Sequence, residues 1–283
     1  MSKTQVTNPL KYHGGKHYLA KRIVQLMPPH THYVEPFFGS GAVMFQKDPS
    51  GVSEVANDNL STLTTLWEVL QNESMYERFV RLSEATPFSE QQWKQSEKRL
   101  RDEDPVVRAH AFFVLNRLSR QGLMKDFATL SRNRVRRKMN EQVSSWLTAV
   151  EGLPQIHERL KRVVILNQDA IQVIKRQDGN NTLFYLDPPY VTSTRVATAA
   201  YQHEMTDQDH TRLVDVILKC SGKVMLSGYP NAIYERLEYA GWDVFDFQVS
   251  KASSSQKSKP KATERIWANF ELKSAASGEG RAA

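Results

Sequence analysis

The chain has 283 residues, 40% hydrophobic and 24% charged, which is enough for one large or two ordinary soluble domains with a buried core. Lys and Arg (38) exceed Asp and Glu (31) by seven, and the whole excess falls between Thr86 and Arg162, where 16 basic residues face 9 acidic ones; a local basic surface of this kind suits nucleic acid. No apolar run reaches the ~18 residues of a membrane span, the opening MSKTQVTNPLKYHGGK lacks the apolar core of a signal peptide, and the single Cys220 excludes an internal disulfide or a Cys-rich metal site. A cytoplasmic protein without membrane contact is expected.

From His32 to Gly41 the chain reads His-Tyr-Val-Glu-Pro-Phe-Phe-Gly-Ser-Gly, and AVMFQK follows. This predicts a strand, a glycine turn and a helix. A second strand over Val52 to Ala56 ends at Asn57-Asp58, and Leu63, Leu66, Trp67 and Leu70 mark one face of a helix over Leu60 to Leu70. The βαβα alternation predicts an α/β domain with a parallel sheet covered on both faces. From about Pro87 to Arg159 the strand signal gives way to a long polar helical insert that contains the basic run Arg132 to Lys138. Strand patterns return at Val163 to Leu166, Leu183 to Leu186, Lys223 to Leu226, Val244 to Val249 and Ile266 to Leu272, with a helix over about Asp207 to Cys220. Lys251 to Thr263 has the composition of a loop, and Ser274 to Ala283 that of a flexible tail.

Three segments carry chemistry. The turn Phe37-Phe38-Gly39-Ser40-Gly41 closes a strand, so its glycines let a ligand approach backbone N–H groups. Asp58 ends the next strand, where a carboxylate can accept both hydroxyls of a ribose. The third glycine of the dinucleotide fingerprint is replaced by Met44, which disfavours a nicotinamide or flavin cofactor. The third segment, Asp187-Pro188-Pro189-Tyr190, follows the apolar strand Leu183-Phe184-Tyr185-Leu186 at the strand end where α/β sheets bind ligands. Two prolines stiffen it and remove two donors. An exocyclic amine presents two N–H groups, which the Asp187 carboxylate and the Pro188 carbonyl can accept while Tyr190 stacks on the base.

The chain resembles the Dam-type DNA adenine N6-methyltransferases, which use S-adenosylmethionine, over nearly its whole length. The likeness is carried, in the family's order, by Lys11-Tyr12-His13-Gly14-Gly15-Lys16, Val34-Glu35-Pro36-Phe37-Phe38-Gly39-Ser40-Gly41, Ala56-Asn57-Asp58 and Asp187-Pro188-Pro189-Tyr190. It implies a Rossmann-like methyltransferase domain made of residues 1–85 and 160–273, with a mainly helical, basic target-recognition domain at 86–159 and a tail at 274–283. For the cofactor, it implies contacts from Tyr12 and Lys16, from Glu35 near the methionine ammonium, from Phe37, Phe38, Gly39 and Gly41 in the turn, from Asp58 on the ribose, from Asp169 on the adenine ring, and from Asp187 between cofactor and target amine. Where family members often carry Phe or Tyr after that aspartate, this chain has Ala170.

The reaction the resemblance implies needs no metal. Asp187, Pro188, Pro189 and Tyr190 would hold an adenine flipped out of duplex DNA, and methyl transfer to its N6 would leave S-adenosylhomocysteine. In the insert, Arg132, Arg134, Arg136, Arg137 and Lys138 place five cations in seven residues suited to phosphate; Lys125 adds another, and Asn116, Arg117, Arg120 and Asn133 are candidates for reading base edges. The loop that accompanies GATC recognition in the family is not present, so the resemblance does not extend to GATC as the site. A restriction enzyme is a possible partner, and a monomer is favoured.

Other readings of the same residues are amino methylation of RNA, of a protein glutamine or of cytosine N4, and a DNA-binding module that has lost catalysis. Cytosine C5 methylation is excluded because Cys220 stands in Lys-Cys-Ser-Gly, without the Pro-Cys pair that covalent attack requires. The eight histidines show no metal-ligand spacing such as HExxH, and His203 and His210 read as packing or solvent-facing residues.

Overall fold

A computed structural model describes residues 6, 8–11, 16–128, 130, 132–191, 205–250 and 261–272. Tyr12, His203, most of the expected loop at 251–263 and the tail lie outside them. In chain order the helices are α1 (Ala20–Gln25), α2 (Ser61–Gln71), α3 (Glu73–Glu84), α4 (Glu90–Arg99), α5 (Pro105–Leu118), α6 (Glu141–Glu151), α7 (Leu153–Leu160), α8 (Ala170–Gln177), α9 (Asp207–Ile217) and α10 (Glu235–Tyr239). The strands are β1 (His32–Glu35), β2 (Ser53–Asn57), β3 (Val135–Arg136), β4 (Met139–Asn140), β5 (Val163–Leu166), β6 (Thr182–Leu186), β7 (Lys223–Gly228), β8 (Asp243–Ser250) and β9 (Lys261–Ala268). The chain divides into two compact units, one of residues 1–24, 38–49 and 58–167 and one of residues 25–37, 50–57 and 168–283.

In the second unit the strands lie in the order β2-β1-β6-β7-β9-β8. The first four are mutually parallel, so their carboxyl ends share one edge; β9 runs antiparallel to both β7 and β8. The expectation of a parallel sheet therefore holds for the site-bearing strands and not for the final hairpin, whose last strand begins at Lys261 rather than at Ile266. Every residue of β6 is buried, as an unbroken apolar run in a parallel sheet should be. A capping box formed by Thr206 and Asp209 starts α9.

The first unit is mainly helical. All four apolar positions predicted on α2 (Leu63, Leu66, Trp67 and Leu70) are fully buried. Helix α5 is buried from Ala109 through Leu118, and Phe113 sits between Phe79 (5.5 Å) and Trp146 (5.2 Å). Asp104 caps α5 by accepting from the Val106 N–H, with Pro105 in the first turn where its missing donor costs nothing.

Two local expectations are corrected. After the glycine turn there is only a 3-10 turn at Met44–Gln46 rather than a helix; Pro49 disfavours helical geometry at Asp48, so the segment ends within one turn. The basic run is a hairpin rather than a helix: β3 pairs antiparallel with β4, and Arg137 (φ 54°) and Lys138 (φ 62°) form its two-residue turn with both φ values positive. On a helix these cations would stack at i,i+3 and i,i+4 spacing and repel one another, whereas the hairpin spreads them.

Candidate active site

In the first unit, the glycine turn is built on an aromatic cluster. Phe38 is buried edge-on against Phe45 (5.8 Å) and Trp67 (5.5 Å), and the Trp67 indole N–H donates to the Gly39 carbonyl at 3.2 Å. Gly41 has φ +69°, and a Cβ there would stand 2.5 Å from the Phe38 ring and 2.7 Å from that of Phe45, so only glycine fits. Phe38 thus supports the turn from below. The Asp58 carboxylate accepts from the Gly39 N–H (2.8 Å, Oδ2) and from the Leu60 N–H (2.9 Å, Oδ1). The group is half-buried, and both of its oxygens are acceptors. Lys16, in a short 3-10 turn, is only 1% exposed.

In the second unit, Glu35 ends β1 and is 2% exposed; its Oε1 accepts from the Tyr33 hydroxyl at 2.7 Å. Burial, then the adjacent Glu35 charge, push the Tyr33 phenol well above its ordinary pKa, so it stays a donor. Phe37 is half-buried. Asn57 joins three parts of the strand edge: its amide donates to the Pro36 carbonyl (2.9 Å) and the Gln168 carbonyl (3.0 Å) and accepts from the Gln168 N–H (2.9 Å). Asn57 belongs to a motif noted in the sequence, yet its clamping role has no sequence signal. Asp169 is exposed and caps α8, accepting from the Gln172 N–H at 3.0 Å.

The tetrapeptide leaves β6 at the same edge. Asp187 is half-buried and its Oδ1 accepts from the Ser227 hydroxyl at 2.9 Å; Ser227 in turn accepts from the Tyr185 phenol at 3.2 Å. Pro188 is buried. Tyr190 packs on Tyr229 with 4.7 Å between ring centres, and its hydroxyl lies 3.2 Å from each carboxylate oxygen of Glu264. Ser227, Tyr229 and Glu264 escaped the sequence reading because they reach the tetrapeptide only through strand pairing.

The insert residues sort by exposure. Arg120, Lys125, Arg132, Asn133, Arg134, Arg136, Arg137 and Lys138 are all exposed. Arg137 is engaged by Glu151 through two contacts of 2.8 and 2.9 Å, and Arg134 lies 3.5 Å from Glu141. Asn116 and Arg117 are instead buried. The Asn116 amide donates to the Lys11 and Gly122 carbonyls and accepts from the Lys11 N–H, while Arg117 donates to the backbone and hydroxyl of Ser145. Burial brings the Arg117 pKa down to about 10 and, with Arg117 beside it, that of Lys11 to about 8. Both Asn116 and Arg117 are thus turned inward onto protein partners.

A family model for D12 class N6 adenine-specific DNA methyltransferases matches residues 12–253. The chain belongs to that family. It is similar to the type II methyltransferase M1.LlaDCHI of Lactococcus lactis subsp. cremoris, at 28% identity over 276 residues that cover 92% of this chain and 94% of the relative. It is also similar to the type II methyltransferase M.MjaIII of Methanocaldococcus jannaschii, at 24% identity over 259 residues, or 83% of this chain and 88% of the relative. As a D12 class adenine-specific methyltransferase the protein acts on DNA and methylates adenine at N6, and the family implies S-adenosylmethionine as methyl donor. No helix among the described residues is long and apolar enough to cross a membrane.

Proposed function

We propose that this D12 class methyltransferase acts on adenine flipped from a specific duplex site, with Asp187 and the Pro188 carbonyl accepting the two N6–H bonds and Tyr190 stacking on the base. The observation that carries the reading is the placement of Asp187, half-buried at the carboxyl end of a buried parallel strand with one oxygen engaged by Ser227. Hydrogen bonds from N6–H to these acceptors draw the amine lone pair out of the ring and stabilise positive charge growing on nitrogen. When bound, S-adenosylmethionine supplies a methyl group on a sulfonium that becomes neutral as it leaves, so alignment of the amine by the chain contributes much of the acceleration.

For the cofactor, the Asp58 carboxylate directly after β2 suits ribose hydroxyls, and the buried Glu35 carboxylate suits the methionine ammonium. Tyr12, Lys16, Phe37, Gly39, Gly41 and Asp169 complete this assignment, with Phe38 holding the turn. Residues 1–85 and 160–273 are the catalytic domain in this reading and 86–159 the target-recognition domain. Flipping costs a few kcal/mol, offset by phosphate contacts from Lys125, Arg132, Arg134, Arg136 and Lys138, with the exposed Arg120 and Asn133 as candidates for reading base edges. A restriction enzyme that cuts the same DNA site is the functional counterpart that the type II naming of the relatives suggests. The deciding experiment incubates the protein with methyl-labelled S-adenosylmethionine and duplex DNA or RNA, then digests the products to nucleosides. N6-methyladenine from DNA is expected; label in N4-methylcytosine, or in RNA alone, overturns the reading.

A further inference from the structure

Two side chains outside the tetrapeptide hold its two ends. The register Leu186↔Leu226 between β6 and β7 brings Ser227 beside Asp187, with 2.9 Å from the serine hydroxyl to Asp187 Oδ1. Ser227 is fully buried and accepts from the Tyr185 phenol, itself 2% exposed; of the two acceptors within reach of its own proton, Asp187 Oδ1 at 2.9 Å is nearer and charged, and the Leu186 carbonyl lies at 3.4 Å. At the other end the Tyr190 hydroxyl meets both oxygens of Glu264 at 3.2 Å. Glu264 lies on β9 with no solvent exposure, and a buried carboxylate is costly unless donors reach it; the Tyr190 hydroxyl is one such donor. Tyr229 packs against the Tyr190 ring, with 4.7 Å between ring centres.

We propose that Ser227 and Glu264 are positioning residues for methyl transfer, Ser227 setting the plane of the Asp187 carboxylate and Glu264 the orientation of the Tyr190 ring. Neither touches the base. The inference rests on Asp187 holding the amine and Tyr190 stacking on the adenine.

The test measures single-turnover methylation of a duplex at saturating cofactor, together with the Kd values for S-adenosylmethionine and for DNA. Ser227→Ala is expected to slow transfer about tenfold or more, the scale of one lost hydrogen bond to a charged group, with both Kd values unchanged. Ser227→Thr restores the donor and most of the rate. Glu264→Gln, which keeps an acceptor, is expected to stay near the unmutated rate, and Glu264→Leu to match Tyr190→Phe. The Glu264→Leu/Tyr190→Phe double variant should be no slower than either single, because one residue acts through the other. If Ser227→Ala lowers thermal stability so far that its rate cannot be read, Ser227→Cys, isosteric with a weaker donor, should give an intermediate rate. A Ser227→Ala or Ser227→Cys rate within twofold of the unmutated enzyme, no rescue by Thr, or additive losses in the double variant each overturn the proposal. Full activity in Asp187→Asn would instead overturn the underlying assignment of Asp187.

Discussion

The backbone N–H of Gly39 donates to Asp58 Oδ2 at 2.8 Å, across nineteen residues of chain. The same carboxylate takes the Leu60 N–H at the approach to α2, so one side chain anchors both a glycine turn and a helix entry. Asp58→Ala is expected to weaken S-adenosylmethionine binding by at least tenfold and to cost about 2 kcal/mol of stability, the scale of lost charge-assisted hydrogen bonds. Isothermal titration and chemical denaturation read the two effects separately, and a variant that keeps cofactor affinity while losing stability would reduce Asp58 to an anchor.

Gly41→Ala forces a Cβ to within 2.5 Å of Phe38 at a backbone φ of +69°. Overpacking and left-handed strain together predict a loss of about 2 kcal/mol. Tm should fall with no change in the DNA salt dependence.

The exposed and the buried members of the insert should respond differently. Arg136→Ala with Lys138→Ala removes two cations from the hairpin, and the slope of log K against log salt should become shallower by about 1.8, at ~0.9 per phosphate contact. Arg137→Ala is expected to change it less, because Glu151 already engages that guanidinium. Asn116→Ala strips partners from the Lys11 N–H and from the Lys11 and Gly122 carbonyls, and should cost about 2 to 3 kcal/mol of stability instead. An unchanged Tm in Asn116→Ala would contradict the clamping role.

Asp187→Asn is expected to abolish methyl transfer while duplex affinity changes less than threefold, since it keeps the shape of the strand end and loses the carboxylate charge. Electrophoretic mobility shifts alongside nucleoside analysis check both halves.

His110 links stability to acidity. Burial, assisted by the charge of Arg99, lowers its pKa from 6.5 to about 4. Thr86 gives its hydroxyl proton to the Leu82 carbonyl, so the neutral imidazole donates from Nε2 to Thr86 at 3.0 Å. The unfolded chain takes up this proton near pH 6.5 and the folded chain only near 4. The contribution is therefore full above pH 6.5 and is lost as pH falls toward 4, by up to about 3 kcal/mol. Denaturation midpoints across pH 4 to 7 should flatten in His110→Gln.

By itself the sequence determined the strand-turn logic of the candidate site's segments: the apolar run before Asp187, the glycines Gly39 and Gly41, the carboxylate after Val55-Ala56-Asn57 and the amphipathic α2. These follow from local periodicity and from residues whose chemistry is their own, and they suffice for the α/β class; the methyltransferase reading rests on the family resemblance that the same motifs carry. The tertiary structure decided which polar residues work together. Asn116 and Arg117 looked like readers of DNA because their segment is basic, yet α5 is buried and turns them inward. The cations of Arg132 to Lys138 form a hairpin because mutual repulsion outweighs helix propensity in a run with little apolar surface to bury. Ser227 and Glu264 stand 40 and 74 residues from the side chains they hold. A hydrogen bond across such distances is set by the register of paired strands, and no local pattern in the chain encodes it.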